Sequence, residues 1–144
     1  MELSEIVSIT KKELSNIDGL SEKDDEIEIN LSQQDFSRFN YTSLKYSQVY
    51  DEKGNLSDRG ITHISFKINS KLNECWITSL GVNPLYERQG IGRKMVHAVE
   101  EISKKVDIDL IKLEGPYTSA LPFWKKIGYY SKIIEDKETF IKLL

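Results

Sequence analysis

One cysteine, two histidines and three prolines are all that the 144 residues hold of these types. The lone thiol, Cys75, excludes an intramolecular disulfide, and one cysteine with His63 and His97 is a poor kit for binding a metal. No run is long and apolar enough to cross a membrane, so no membrane role is expected. Repeats, low-complexity tracts and Pro/Gly/Ser-rich linkers are also missing, which predicts a single domain over residues 1–144. Excess positive charge is absent too: the formal net charge of -3 argues against nonspecific nucleic-acid binding but permits a local basic patch. The first twenty residues lack the basic start and continuous apolar centre of a signal peptide, so a cytoplasmic location is expected.

What is present is a change of rhythm along the chain. Leu3, Ile6, Val7, Leu14 and Ile17 have helical spacing, predicting an amphipathic helix over 3–15. "SEKDDEIE" reads as a wet acidic loop leading into a strand, in which Ile27, Ile29 and Leu31 alternate with polar residues. Ser32 with Asp35 three residues later resembles a helix start. "SLKYSQVY", "ITHISFKI" and "ECWITSLGV" are strands, and the short turns "DEKGN" and "NSKLN" join them into an antiparallel meander.

Then Ile91, Met95, Val96, Val99, Ile102 and Val106 make an apolar stripe on one helix, about 90–105. "DIDLIKL" reads as a strand covered on both faces, so strand, helix and strand form a βαβ unit with parallel strands. "SALPFWKKIG" is a short helix, with Ser119 able to cap it, Pro122 in its first turn and Gly128 at its end. "YYSKII" and "TFIKLL" close the chain as a hairpin. The expected fold is α/β: a mixed sheet with helices on its faces.

The chemistry points to "YERQGIGRKM", residues 86–95. Gly90 and Gly92 stand where a strand gives way to a helix, whose first N–H groups have no partner and whose dipole favours an anion. Glycines let a ligand approach the backbone, and Arg88, Arg93 and Lys94 add charge, so the stretch suits a phosphate or pyrophosphate. Two standard phosphate motifs fail on it. Arg93 and Lys94 follow Gly92 where a Walker A loop needs Lys and Ser/Thr, and Met95 stands where a dinucleotide fingerprint needs a third small residue.

"ITSLGVNPLYERQGIGRKMV" resembles the acetyl-CoA signature of the GNAT acetyltransferase superfamily, a strand ending in valine followed by Gln/Arg-x-x-Gly-x-Gly/Ala at a helix start. "ALPFWKKIGY" is similar to that family's later Ala-x-x-Phe-Tyr segment, with Ala120, Phe123, Gly128 and Tyr129 in register. The resemblance covers about residues 75–134. It implies a GNAT fold whose two parallel strands splay apart, and acetyl-CoA as co-substrate with no metal. Main-chain N–H groups over Arg88, Gln89, Gly90, Ile91, Gly92 and Arg93 would hold the pyrophosphate, with Phe123 nearby. Leu80 and Val82 would pair with the pantetheine arm, Gly81 would allow the bulge that splays the strand, and an N–H near Leu80–Val82 would polarise the acetyl carbonyl.

The implied activity is transfer of acetyl to a primary amine, of a small molecule or a peptide, by direct attack in a ternary complex. Family members are commonly dimers, so a homodimer is left open. Glu87 replaces the first signature residue. Trp124 replaces a tyrosine that protonates the leaving thiolate and brings no transferable proton. Tyr117 and Tyr129 are the nearby candidates for that acid. Glu74 and Glu114 are the candidates for the base, although the family's usual base position falls on Trp76. Trp124 and the absence of an obvious base also raise a second reading, an acyl-CoA-binding module without turnover. Cys75 reads as a small core residue, and His63 and His97 as structural or exposed.

Overall fold

A computed structural model describes residues 3–15, 25–30, 42–48, 62–69, 72–82, 90–116 and 118–144. Among the described residues, three α-helices and seven strands follow one another as α1 (Leu3–Ser15), β1 (Asp25–Asn30), β2 (Thr42–Gln48), β3 (Thr62–Asn69), β4 (Glu74–Gly81), α2 (Ile91–Lys105), β5 (Leu110–Leu113), α3 (Leu121–Lys126), β6 (Tyr130–Ile134) and β7 (Lys137–Leu143). The strands make one sheet in the order β1-β2-β3-β4-β5-β7-β6. Among the described strands only β4 and β5 run parallel, and every other pair is antiparallel. The meander, the βαβ unit and the closing hairpin therefore form as expected. The helix start at Ser32 and the turn over 51–55 lie outside the described residues.

The core forms where the period-2 face of the sheet meets the 3.6-period stripe of α2. Ile64, Phe66 and Ile68 of β3, Cys75 and Ile77 of β4, and Ile111 and Leu113 of β5 are buried on one face. Ile91, Met95, Val96, Val99 and Ile102 of α2 are buried with them. Each such aliphatic side chain contributes roughly 1.5–3 kcal/mol on burial. Helix α1 packs on α2, and an ion pair from Glu13 to Lys105 joins the two.

Two turns show how the local sequence ends its elements. After α3 the chain leaves through Gly128 at φ +102°. The Gly128 N–H donates to Lys125 O and the Tyr129 N–H to Trp124 O, which is the Schellman closure that a glycine here permits. Between β6 and β7, Glu135 and Asp136 both take positive φ, 50° and 64°, as a two-residue type I′ hairpin turn requires.

Three expectations are corrected. Ser119 does not cap α3: it lies in a short 3₁₀ turn, Thr118–Ala120, and the helix start has no side-chain cap. β5 is fully covered only on the α2 face, because Leu110 and Lys112 on the other face are half-buried, Lys112 being ion-paired to Glu74 at 2.8 Å. The bulge in β4 is not at Gly81. Ser65 pairs with Ser79 and Phe66 with Ile77, so Thr78 is the extra residue.

Candidate active site

β4 and β5 pair only from Cys75 to Ile77 against Ile111 to Leu113. The last link is the Glu114 N–H donating to Ile77 O at 3.1 Å. Beyond it the two strands part, and each has a local reason. On β4 the bulge at Thr78 breaks the regular ladder. On β5 the chain turns at Gly115, whose φ is +54°, into Pro116, which has no N–H to donate. The result is a cleft of about 170 Å³ lined by Ile77, Thr78, Ser79 and Leu80 of the β4 strand, by Leu113, Glu114, Gly115 and Pro116 after β5, and by Ala120 and Trp124.

The start of α2 stands beside the end of β4. Its cap residue is Gly90, exposed and at φ 76°, ψ 14°, a left-handed conformation that glycine adopts without strain. No side chain caps this helix end. The first intrahelical bond there is the Lys94 N–H to Gly90 O at 3.0 Å, so the N–H groups of Ile91, Gly92 and Arg93 belong to the first turn, which has no intrahelical acceptors for them. A Cβ at Gly92 would meet Val82 Cγ2 at 3.4 Å and Phe123 Cζ at 3.7 Å, ordinary contacts. Packing of the protein on itself therefore does not demand glycine at 92. An anion approaching the first turn would, since it needs the backbone bare. Arg93 and Lys94 are exposed at the same end.

The sequence candidates thus separate into groups. Leu80, Gly81, Val82, Gly90, Ile91, Gly92, Arg93 and Phe123 fall together, where the end of β4, the start of α2 and α3 meet. Arg88, Gln89 and Tyr117 lie outside the described residues. Gly81 has a role other than the expected bulge. A Cβ there would lie 2.5 Å from His63 Cε1, so the absence of a side chain makes room for the imidazole.

Glu74 and Tyr129 stand away from the cleft. Glu74 is three residues, about 10 Å along the strand, before the parting at Ile77. It is 7% exposed, its Oε2 is ion-paired to Lys112 at 2.8 Å, and its Oε1 accepts the Trp76 indole N–H at 3.0 Å. Tyr129 is 2% exposed and donates its hydroxyl to Glu100 Oε2 at 3.1 Å, while Lys142 pairs with the same carboxylate at 3.0 Å. Burial, and then the Glu100 carboxylate, push the Tyr129 phenol far above its ordinary range. A phenol so placed holds α2 to α3 and is sealed from the cleft. Trp124, edge-on to both Phe123 and Tyr129 at 5.1 Å between centroids, is buried and lines the cleft. Cys75 is fully buried, with its thiol pushed up to about 12 chiefly by burial, so it is no nucleophile.

Sequence reasoning missed three parts of this site: the bulge at Thr78, the hydrogen bond between His63 and Ser79 at 2.8 Å, and the Gly115–Pro116 turn. Of these only the Gly-Pro dipeptide directly after an apolar run carried a signal that could have been read. Glu114, the second base candidate, does line the cleft, and it is ion-paired to Lys67 at 3.4 Å.

Comparison with known proteins agrees with this geometry. The family model for the acetyltransferase (GNAT) family matches residues 21–129, well over half of the chain. The catalytic subunit NAA20 of the N-terminal acetyltransferase B complex of Arabidopsis thaliana is 31% identical over 91 residues, 58% of this chain and 49% of that protein. The chain thus spans about half the length of this curated relative. Among solved structures, an acetyltransferase from Bacillus cereus ATCC 14579 superposes with a TM-score of 0.53 at 25% identity, covering 79% of this chain and 80% of that one. The PaiA N-acetyltransferase of Thermoplasma acidophilum, solved in complex with coenzyme A, shares the fold with a TM-score of 0.51 at 19% identity, covering 72% of this chain and 61% of that one.

Proposed function

The chain belongs to the GNAT acetyltransferase family, and on that premise we propose that it moves an acetyl group from acetyl-CoA to a primary amine by direct attack. The observation that carries this reading is the parting of β4 and β5 after the Glu114-to-Ile77 hydrogen bond, beside an uncapped helix start. In this reading the N–H groups of Ile91, Gly92 and Arg93 bind the pyrophosphate of the co-substrate, and Arg93 and Lys94 add charge. The main chain of Leu80–Val82, freed from β5, pairs with the pantetheine arm, and one of its N–H groups polarises the acetyl carbonyl. Arg88 and Gln89 extend the cradle on the N-terminal side.

The transfer joins the acceptor nitrogen to the acetyl carbon and breaks the carbon–sulfur bond. The sulfur leaves with the electron pair and takes a proton. Positioning in the cleft supplies most of the acceleration. The acceptor reading favours the α-amine of a peptide over a small amine, because the curated relative is named an N-terminal acetyltransferase. Release of free CoA from acetyl-CoA, measured against a panel of decapeptides with free α-amino groups and of polyamines, tests the proposal. Turnover with at least one peptide is expected, and no turnover with any amine would overturn it.

A second reading has its own observation. Trp124 stands where the family's proton-donating tyrosine is expected, and Tyr129 is sealed in the core. A module that binds acyl-CoA without turning it over would tolerate both. Stabilisation by CoA together with complete inactivity across the same panel would favour it.

A further inference from the structure

The bulge at Thr78 does more than open the cleft. In an unbroken strand residue 79 would share the buried face of Cys75 and Ile77, because side chains alternate. The extra residue reverses this, so Ser79 comes out opposite Ser65, on the face that carries Trp76, Lys67 and His63. There Ser79 is exposed, lines the cleft, and its Oγ lies 2.8 Å from His63 Nε2. Gly81 completes the arrangement: a Cβ on it would overlap the ring at 2.5 Å from Cε1 and 2.9 Å from Nδ1. A bulge, a hydroxyl, an imidazole and a glycine thus place a serine–histidine pair at the point where the two strands part.

We infer that Ser79 and His63 relay the proton of the acceptor amine; the inference rests on the acetyl-transfer reading of this cleft. An amine arrives as R–NH₃⁺ and cannot attack until one proton leaves. Ser79 Oγ accepts that proton as its own hydroxyl proton passes to His63 Nε2, in the tautomer whose other proton is on Nδ1. The neutral amine then forms the carbon–nitrogen bond, the carbon–sulfur bond breaks, and a second proton from nitrogen ends on the CoA sulfur. The imidazolium returns its proton to water. No other reactant is needed. Ser79 is the residue that touches the amine. His63 acts through it and is a positioning and proton-holding residue.

The surroundings are consistent with this assignment. On the same face Lys67 is ion-paired to Glu114 at 3.4 Å, so the charged neighbours on β3 and β5 come as a compensated pair. On β2, Ser47 stands opposite His63 in register and Lys45 opposite Ser65. The other candidate bases are engaged elsewhere: Glu74 by Lys112 and Trp76, and Glu114 by Lys67. An imidazole is also the side chain suited to exchanging a proton near neutral pH.

The test is kcat/KM between pH 5.5 and 9 with acetyl-CoA and a decapeptide bearing a free α-amino group, for the wild type, His63→Gln, Ser79→Ala and Gly81→Ala. The wild type should lose rate towards low pH. At pH 6.5 only about 3% of an α-amine of pKa about 8 is neutral, so His63→Gln and Ser79→Ala should be slower by about 10-fold. Both should approach the wild type above pH 8.5, where an α-amine of pKa about 8 deprotonates unaided. Gly81→Ala, which displaces the ring, should resemble His63→Gln. KM for acetyl-CoA and the thermal stabilisation by CoA should stay unchanged in His63→Gln and Ser79→Ala. A rate loss that is equal at every pH, or variants that keep the wild-type profile, would overturn the relay while leaving the transferase reading standing. A wild type that binds CoA and acetylates neither peptides nor polyamines would overturn both.

Discussion

The two halves of β4 solve opposite problems with one strand. From Glu74 to Ile77 it is closed: three residues pair in parallel with β5, and the outer face is sealed by charge. Glu74 holds Lys112 and the Trp76 indole, and the Lys67 and Lys112 ammonium groups stand 5.7 and 5.1 Å from the centre of the Trp76 ring. From Thr78 onward the strand is open: the bulge and the Gly115–Pro116 turn leave its main chain unpaired on the β5 side, facing a cleft. An exposed row of strand N–H and C=O groups is ordinarily a liability. Here it sits beside the bare first turn of α2, where an extended ligand with a phosphate head would use both. The difference teaches that β4 leaves main-chain hydrogen bonds unmade only after Thr78, where the bulge and the Gly115–Pro116 turn part it from β5.

The largest expected effect breaks the open half. Gly92→Glu sets a carboxylate against the anion cradle while leaving the helix start acceptable to an acidic residue. Stabilisation by CoA should vanish and activity should fall at least 100-fold, with the unliganded melting temperature near that of the wild type, as read in thermal melts with and without CoA. Next comes the closed half. Lys112→Met leaves the buried Glu74 carboxylate without its cation and should cost about 3 kcal/mol of stability in urea denaturation. The KM for acetyl-CoA should not change. Glu74→Gln in turn should keep kcat within about twofold, since its hydrogen bonds serve packing, whereas a 100-fold loss would restore Glu74 as the base.

The core beneath the closed half has a pH signature. The Cys75 thiol is raised from 9.0 to about 12, so the folded chain keeps its proton where the unfolded chain loses it. This contribution is fully present below pH 9 and is lost as pH rises from 9 to 12. Tyr129 is shifted in the same direction. Stability should fall by up to about 1.4 kcal/mol per pH unit in that window on account of the thiol alone, and Cys75→Ala should show a shallower slope in the same denaturation series. The smallest effect sharpens the contrast: Tyr129→Phe removes one hydrogen bond to Glu100 and should cost about 1 kcal/mol with no change in the pH–rate profile.

Much of this was readable in the sequence wherever one element decides its own form. The stripe from Ile91 to Ile102 specifies α2 and its buried face, and the alternation through Ile64, Phe66 and Ile68 specifies β3. Gly90 and Gly92 after Val82, the residue that follows β4, marked the helix start. What escaped depends on partners far along the chain. Thr78 as a bulge is a matter of register against β3, and nothing in threonine itself announces it. Ser79 reaches His63 across sixteen positions. Tyr129 looked like a reachable acid because its neighbours in sequence are near the cleft, yet Glu100 on α2 and Lys142 on β7 bury it. Glu74 has the alternation of a cleft residue, but the strands part only after Ile77.

The most direct test follows backbone amides as CoA is added. In ¹⁵N-labelled protein the central claim predicts that shifts and protection from exchange concentrate at Ile91, Gly92 and Arg93 and along Leu80 to Val82, with Cys75 to Ile77 little changed. Perturbation confined to other surfaces, with the start of α2 and the end of β4 silent, would contradict it.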